Sequence, residues 1–344
     1  MHGNGYTMNI PGIAESARAS LRRAMCVAVL LAGTLPSCTG EHTPAKRSAV
    51  PAPDSLSIFY TCDTRGHINP CNCSAGVAGG LPRRMSFLKQ QITGDALIVD
   101  AGNLTAGTRP WELLELEYIL RGYQKIGYHA ANIGRREAGL PLATLKDLAR
   151  RYPFLVSANI TDKQGLRVFP AYHVVTLKGG YRAAIIGVLT NTLLSDEIGE
   201  GVAIAPPEEA IAKILPEARA ESDLVVLIAF TDEQTMKNLA DHFFEISVIV
   251  GGDVEQPSGD AVRHNKSTLV YITEKGKSVG RLDLRYVGGN YVAEANVITT
   301  LLDNIPDDME MTALVNEMQQ KQVENNYPVK KDDEDGLTSV SGGQ

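Results

Sequence analysis

The chain alternates short apolar runs with segments of helical periodicity, and this alternation restricts its fold more than any other feature. Between residues 55 and 251 the apolar runs are five to seven residues long and rich in β-branched side chains, which is typical of buried strands. The segments between them place apolar residues three and four positions apart, as amphipathic helices do. This order predicts an α/β domain. The predicted buried strands are residues 55–61, 96–100, 183–189, 224–230 and 246–251.

A different pattern marks the last part of this region. Three β-rich runs, at 268–273, 281–286 and 291–297, follow one another without a helix between them. Gly288 and Gly289 join the last two runs. Glycine pairs between β-rich runs favour tight turns, so this part predicts antiparallel hairpins that close a sheet.

The segments that flank the predicted domain differ from it in composition. An apolar run at 24–35 follows three arginines and is too short for a permanent membrane span, but it has the length of a signal-peptide core. It ends at Cys38 in a string that resembles a bacterial lipobox. We therefore predict an exported protein, anchored by a lipid on Cys38 to a membrane of the bacterial cell envelope and facing the periplasm or the cell surface. An ordinary secretory signal is the alternative. The predicted organisation is a signal peptide at 1–37, a tether at 38–54, a domain at 55–300, a C-terminal helix at 301–326 and a disordered tail at 327–344.

Charge and cysteine content narrow the function classes. The 344 residues include 40 acidic and 33 basic side chains, a formal net charge of -7, so no broad attraction to phosphate backbones is expected and nucleic acid is excluded as a partner. Of the five cysteines, Cys26 lies in the predicted signal peptide and Cys38 is the predicted lipid site. Three remain for the domain: Cys62, Cys71 and Cys73.

Short strings between residues 63 and 281 carry a family resemblance. They begin with DTRGH at 63–67, GGLPRR at 79–84 and AGN at 101–103. Their order resembles that in the N-terminal catalytic domain of the 5′-nucleotidase branch of the calcineurin-like metallophosphoesterases, which also includes sulfur-oxidation thiosulfohydrolases. The resemblance extends over 55–297 and implies a four-layer α/β/β/α sandwich with two mixed sheets. Further matching strings lie at 125–130, 134–137, 154–160, 184–188, 249–253 and 276–281.

The resemblance implies a site for two metal ions, but this chain replaces most of the ligands. Family members hold two divalent cations at the strand ends with carboxylates, imidazoles and an amide, and the cations activate water for attack on phosphorus. Only Asp63 is kept from this set. The replacements are Arg65 for the first histidine, Asn103 for the bridging aspartate, Arg135 and Arg136 for an Asn-His pair, Asp232 for a histidine, and Asp253 and Glu255 for the last histidine and its neighbour.

These replacements predict a cluster of ion pairs in place of the metal centre. A guanidinium group has only donors and stays protonated, so it cannot be a metal ligand. Three arginines and four carboxylates can instead neutralise one another, and no metal is preferred. The alternative is a single divalent metal in an oxygen-rich set of ligands. Those ligands would be Asp63, Asn103, Asp232, Asp253 and Glu255.

A second departure from the family pattern is a group of cysteines, Cys62, Cys71 and Cys73, with His67 close by in the sequence. We call these four residues the cysteine cluster. The string around it resembles a subgroup of secreted 5′-nucleotidase-like proteins in which a C-x-C loop overlies the active site. In an exported protein this favours one disulfide, from Cys62 to Cys71 or Cys73, or a more strained bond between the latter two. A redox-active thiol pair and a soft-metal site are the alternatives.

Two differences from the family determine the functional prediction. Most metal ligands are replaced, and the further C-terminal domain with which the family recognises the nucleotide base has no counterpart in the sequence. We therefore expect a non-catalytic relative that binds a protein partner or an anionic small ligand near Arg65, Arg135 and Arg136. One alternative is a hydrolase of phosphate or sulfur esters with one residual metal. Another is a thiol redox or soft-metal protein that uses the cysteine cluster.

Overall fold

Two six-stranded β-sheets form the centre of the structure, a computed structural model that describes residues 50–73, 76–273 and 275–329. The predicted signal peptide, the lipid site Cys38, most of the tether and most of the tail lie outside these residues and stay predictions. Among the described residues, no helix combines the length and apolar character that a membrane span requires.

The secondary structure of the described residues follows the predicted alternation. The strands are β1 (Ser55–Thr61), β2 (Cys71–Cys73), β3 (Gly76–Ala78), β4 (Ala96–Asp100), β5 (Ala130–Asn132), β6 (Leu155–Val156), β7 (Ile160–Asp162), β8 (Tyr172–Thr176), β9 (Arg182–Leu189), β10 (Val202–Ile204), β11 (Leu224–Phe230), β12 (Val248–Gly252), β13 (Val262–His264), β14 (Ser267–Tyr271), β15 (Ser278–Val287) and β16 (Asn290–Thr300). The helices are α1 (Leu81–Gln91), α2 (Pro110–Ile126), α3 (Arg135–Ala138), α4 (Leu142–Arg151), α5 (Pro207–Glu221), α6 (Glu233–His242) and α7 (Met309–Glu324).

Both sheets are mixed. The first has the order β16-β15-β1-β4-β5-β6, in which the last four strands are parallel and β15 is antiparallel to both of its neighbours, β1 and β16. The second has the order β13-β14-β12-β11-β9-β8, with antiparallel strands only at its two edges. The predicted hairpin that turns at Gly288 and Gly289 is therefore present.

One predicted pairing is wrong. The run at 268–273 was expected to join the antiparallel hairpins, whereas β14 pairs in parallel with β12 in the second sheet. All five residues of β14 are buried. Burial on both faces is the usual state of a strand inside a parallel sheet. Its antiparallel partner is the short edge strand β13, which precedes it.

Helices cover the outer faces of the two sheets and complete a four-layer α/β/β/α sandwich. Helices α1, α2 and α7 pack together and share a large apolar core with the first sheet and the inner face of the second. Helices α5 and α6 pack on the outer face of the second sheet around a separate apolar cluster. One face of α7 is buried; it consists of Met311, Leu314, Val315, Met318 and Gln322. The predicted α/β sandwich is thus confirmed.

Candidate functional site

The carboxyl ends of parallel strands from both sheets come together around Asp63. We call this region the strand-end cleft. Asp63 follows β1 and is 3% exposed. Its Oδ1 accepts hydrogen bonds from Arg65 Nε at 2.5 Å and from Asn103 Nδ2, beyond β4, at 2.6 Å. Its Oδ2 accepts a hydrogen bond at 3.1 Å from Thr273 Oγ1, beyond β14 of the second sheet. The first sheet therefore supplies the carboxylate, and both sheets supply donors that fix it.

The backbone at these strand ends is left-handed. The φ angle is +61° at Asp63, +47° at Arg65, +70° at Asn103 and +61° at Asp253, which follows β12. Side chains other than glycine adopt this conformation at a cost of about 1–3 kcal/mol, although aspartate and asparagine tolerate it best. Such strain concentrates at functional sites. Its repetition at three strand ends marks this cleft as the candidate site.

Glu137 lies buried beneath the cleft and ties two of its loops together. Its Oε2 accepts hydrogen bonds from the backbone N–H groups of Asn103 at 3.0 Å and Gly134 at 2.9 Å, and its Oε1 accepts one from Thr105 at 2.6 Å. The side chain is 1% exposed, and burial raises the pKa of Glu137 to about 7 despite these three bonds. Glu137 has no role in the site predicted from the sequence. The sequence feature that could have revealed this role is the position of Glu137 three residues after Gly134, which is the spacing of a capping box.

We predict that Glu137 makes folding stability fall between pH 4.5 and pH 7. In the unfolded chain this carboxyl loses its proton near its ordinary pKa of 4.5, and in the folded protein only near 7, so the folded state binds more protons in this interval. The free energy of unfolding should therefore fall as pH rises, by about 3 kcal/mol from this group. Urea unfolding of the wild type and of Glu137→Gln across pH 4.5–7.5 measures the difference, which should shrink steadily as pH rises. A difference that is constant across this range would contradict the prediction.

The two adjacent arginines after β5 make different contacts. Arg135 forms ion pairs at 3.2 Å with Glu197 and with Asp253, both from loops of the second sheet. Arg136 is exposed and donates from Nη1 to the backbone carbonyl of Ala106 at 2.5 Å. Its backbone N–H donates to Asn103 Oδ1 at 3.0 Å. Of the predicted ion-pair cluster, the structure thus joins Asp63 to Arg65 and Asp253 to Arg135.

Asp232 and Glu255 do not belong to this cluster, which corrects the sequence analysis. Asp232 is the N-cap of α6, where Oδ1 accepts a hydrogen bond from the Thr235 N–H at 2.9 Å and Oδ2 accepts one from the Thr235 hydroxyl at 2.7 Å. An aspartate before a helix accepts hydrogen bonds from N–H groups that otherwise have no partner. Asp232 takes this local role and does not pair with the arginines of the predicted cluster. Glu255 is exposed and pairs with none of the described arginines.

These residues do not fit the family's metal centre. The three donors to Asp63 occupy three of its about four lone-pair positions, and Asn103 turns its amide donor, not its oxygen, toward that carboxylate. The amide oxygen of Asn103 already accepts the Arg136 N–H. Within the described part of the chain, no three His, Cys, Asp or Glu side chains come together as a metal site would require. Arg65 cannot replace a ligand, because guanidinium has no lone pair to offer.

Cys62 is a buried free thiol, so the expected disulfide from Cys62 is not formed. Its Sγ donates to the Gly102 carbonyl at 3.3 Å and packs against Gly252, where any added Cβ would clash with it. Burial and the neighbouring carboxylates raise the pKa of this thiol well above its ordinary value. Cys71 and Cys73 lie at the two ends of β2, which pairs with β3. A redox or soft-metal role of the cysteine cluster stays a prediction.

A fully buried arginine supports the strand ends from below. Arg84 Nη1 donates to the hydroxyls of Tyr123 at 2.8 Å and Tyr128 at 3.3 Å, and Nη2 donates to Thr64 Oγ1, next to Asp63, at 3.3 Å. The two tyrosine rings are stacked with centroids 3.8 Å apart. Tyr123 also donates to Asp100 at 2.7 Å, and burial raises the pKa of that aspartate. This network links α1 and α2 to the ends of β1 and β4.

Comparisons with curated proteins find relatives over most of the chain. A 5′-nucleotidase of Vibrio cholerae serotype O1 is 28% identical over 332 residues, which cover 84% of this chain and 58% of the relative. A 5′-nucleotidase of Vibrio vulnificus is 27% identical, with 79% and 55% covered. Protein UshA of Escherichia coli is 22% identical, with 78% and 55% covered. The chain therefore spans a little over half the length of these relatives. No protein-family model matches it.

Solved structures share the fold. The sulfate thiohydrolase SoxB of Thermus thermophilus has a TM-score of 0.69 and 19% identity, covering 81% of this chain and 62% of its own. A 5′-nucleotidase precursor from the same species has a TM-score of 0.66 and 24% identity, with 78% and 59% covered. The calcineurin-like phosphoesterase YfkN of Bacillus subtilis has a TM-score of 0.65 and 19% identity, with 79% and 98% covered.

These relatives overturn one expectation. The expectation of a non-catalytic protein is wrong, because the curated relatives of the chain are named 5′-nucleotidases and its structural neighbours include hydrolases, which points to an enzyme. Replacement of the metal ligands does not by itself remove the site. The structure keeps a strand-end cleft in which a carboxylate is held by three donors and strained backbone.

Proposed function

Because the chain belongs to the 5′-nucleotidase-like branch of the calcineurin-like metallophosphoesterases, we propose that it hydrolyses phosphate or sulfur esters in the strand-end cleft. The observation that carries the proposal is the Asp63 carboxylate, buried at the end of β1 and fixed by donors from both sheets. The names of relatives suggest two substrate types, a 5′-nucleotide and a thiosulfate ester.

Asp63 is suited to act as the general base. A carboxylate offers about four lone-pair positions, and the three donors to Asp63 leave one on Oδ2 for a water molecule. On this proposal the water oxygen forms a bond to the phosphorus or sulfur of the ester while Asp63 takes the water proton. The ester bond then breaks, and the proton that Asp63 took passes to the leaving group, which restores the Asp63 carboxylate. Guanidinium groups at the cleft stabilise the negative charge that develops on the ester oxygens.

The test is hydrolysis by the full chain of adenosine 5′-monophosphate, p-nitrophenyl phosphate and S-sulfocysteine. We expect release of phosphate or sulfate, and a fall in kcat of at least about 100-fold in Asp63→Asn, since positioned bases typically contribute that much. The matched control is Asp147→Asn, because Asp147 is also paired with arginine but lies on the surface. Circular dichroism shows whether each variant is folded. A folded Asp63→Asn variant with the wild-type rate, or no turnover of any of the three esters, would refute the proposal.

We further propose that the protein is exported and held at the cell envelope by a lipid on Cys38. The support is the arginine-flanked apolar run at 24–35 and its end at a lipobox-like string. Mass spectrometry of detergent-extracted protein should identify Cys38 as a lipidated first residue. An unmodified chain that begins elsewhere would refute the anchor.

A further inference from the structure

The three arginines of the strand-end cleft are not equivalent in their charge balance. Arg135 is paired with two carboxylates, Glu197 and Asp253, each at 3.2 Å. Both partners come from the second sheet, whereas Arg135 follows β5 of the first. The positive charge of Arg135 is therefore already compensated, and its ion pairs connect the two sheets across the cleft.

Arg136 has no such compensation among the described residues. Its guanidinium contacts the Ala106 carbonyl, a neutral acceptor, and the side chain is exposed. No described carboxylate lies within ion-pair distance of it. A guanidinium that is held by a carbonyl and exposed to solvent keeps its positive charge available for an anion.

Arg65 is held beside Arg136 by the same residue. The Arg65 N–H donates to the Asn103 carbonyl at 3.0 Å, and the Arg136 N–H donates to the Asn103 side-chain oxygen at 3.0 Å. Arg65 pairs through Nε with one carboxylate, Asp63, whereas Arg135 pairs with two, and 37% of the Arg65 side chain is exposed compared with 30% for Arg135. One asparagine thus fixes the backbone of two arginines on either side of itself, next to the proposed base.

We propose that Arg65 and Arg136 bind the oxyanion of the substrate, and that they do so without a divalent cation. This rests on the proposed function and names the groups that recognise its substrate. The family resemblance assigns two cations to this place, but Asp63 keeps only one free lone-pair position, on Oδ2, and the side-chain oxygen of Asn103 accepts the Arg136 N–H, so these residues offer too few ligands for two cations. Guanidinium groups supply the missing positive charge, and their planar donors match the oxygens of a tetrahedral phosphate or sulfate group.

Titration calorimetry of the full chain in detergent tests this, with inorganic phosphate and thiosulfate as separate probes. We expect Arg65→Gln and Arg136→Gln to weaken the binding of at least one probe by about tenfold or more, since each removes a charge-assisted hydrogen bond. Arg135→Gln should change the dissociation constant by less than about threefold, although it removes the same charge one residue away. Addition of EDTA should leave the wild-type affinity unchanged. Comparison of the two probes shows whether the cleft prefers a phosphorus or a sulfur oxyanion.

Three results would overturn the inference: equal losses in Arg135→Gln and Arg136→Gln, oxyanion binding that requires added Mn²⁺, or one tightly bound Mn²⁺ or Zn²⁺ per chain that Asp63→Asn releases. Each differs from failure of the proposed function. If the esters are not hydrolysed but phosphate binding follows the arginines, only the hydrolase proposal fails. If hydrolysis occurs but depends on Mn²⁺, the hydrolase proposal stands and this inference fails.

Discussion

Replacement of Arg84 with methionine is expected to lower the free energy of unfolding by about 3–5 kcal/mol. The guanidinium is fully buried. It donates a hydrogen bond to the Tyr123 hydroxyl, which in turn donates to the buried carboxylate of Asp100, so Arg84 provides a positive charge near that carboxylate. Methionine fills similar volume but leaves that negative charge without a counter-charge and leaves several polar groups without their donor. Urea unfolding, followed by circular dichroism, measures the loss.

A surface arginine provides the matched control. Arg150 pairs with Asp147, but 75% of its side chain is exposed, so Arg150→Met should change the free energy of unfolding by less than about 1 kcal/mol. A double variant, Arg84→Met with Asp100→Asn, should recover part of the loss because it also removes the uncompensated carboxylate. Equal unfolding curves for Arg84→Met and Arg150→Met would show that the buried network contributes little.

Gly134→Ala is expected to destabilise the fold by about 2–3 kcal/mol and to reduce hydrolysis. The added methyl group would clash with the backbone nitrogen and the Cα atom of Asn103, and neither can rotate away as a flexible side chain could. A Cβ atom added at Gly102 would in turn meet the backbone nitrogen of Gly134 at 2.8 Å. The loop must therefore shift, and with it the amide that holds Asp63. Thermal unfolding and p-nitrophenyl phosphate turnover measure the two effects.

Gly94→Ala is the control for this substitution. A Cβ atom at Gly94 would meet no atom within 4 Å, so the free energy of unfolding should change by less than about 1 kcal/mol. If Gly134→Ala matches Gly94→Ala in stability and rate, the two loops are not packed as tightly as the structure shows.

The fold was largely predictable because strong local patterns set it. The runs at 55–61, 96–100 and 224–230 coincide with β1, β4 and β11, since each is short and mostly apolar, and most of its residues are buried. The prediction at 246–251 began two residues early, and the actual strand is β12. Sheet membership was harder. No local signal distinguishes β14, buried inside a parallel sheet, from a strand of the neighbouring hairpin.

The site was predictable in position but not in its contacts. Strand ends placed Asp63 and Asn103 in one cleft, but the sequence could not show that Thr273, from a strand of the other sheet, completes the hydrogen bonding of Asp63. Nor could it separate Arg135 from Arg136, which are neighbours in the chain and differ only in what tertiary structure places opposite them. The burial of Arg84 could not be predicted either, because a helix arginine is usually exposed and its complete burial depends on distant tyrosines.

The left-handed strand ends also limit how this cleft can be redesigned. A variant library at Asp63, Asn103 and Asp253 should be restricted to aspartate, asparagine and glycine, because larger or β-branched side chains would force these turns open before any new chemistry could be tested. New function is therefore more accessible through Arg136 and Thr273, whose backbones carry no such restriction. The turns thus restrict which amino acids can evolve at the base of the cleft.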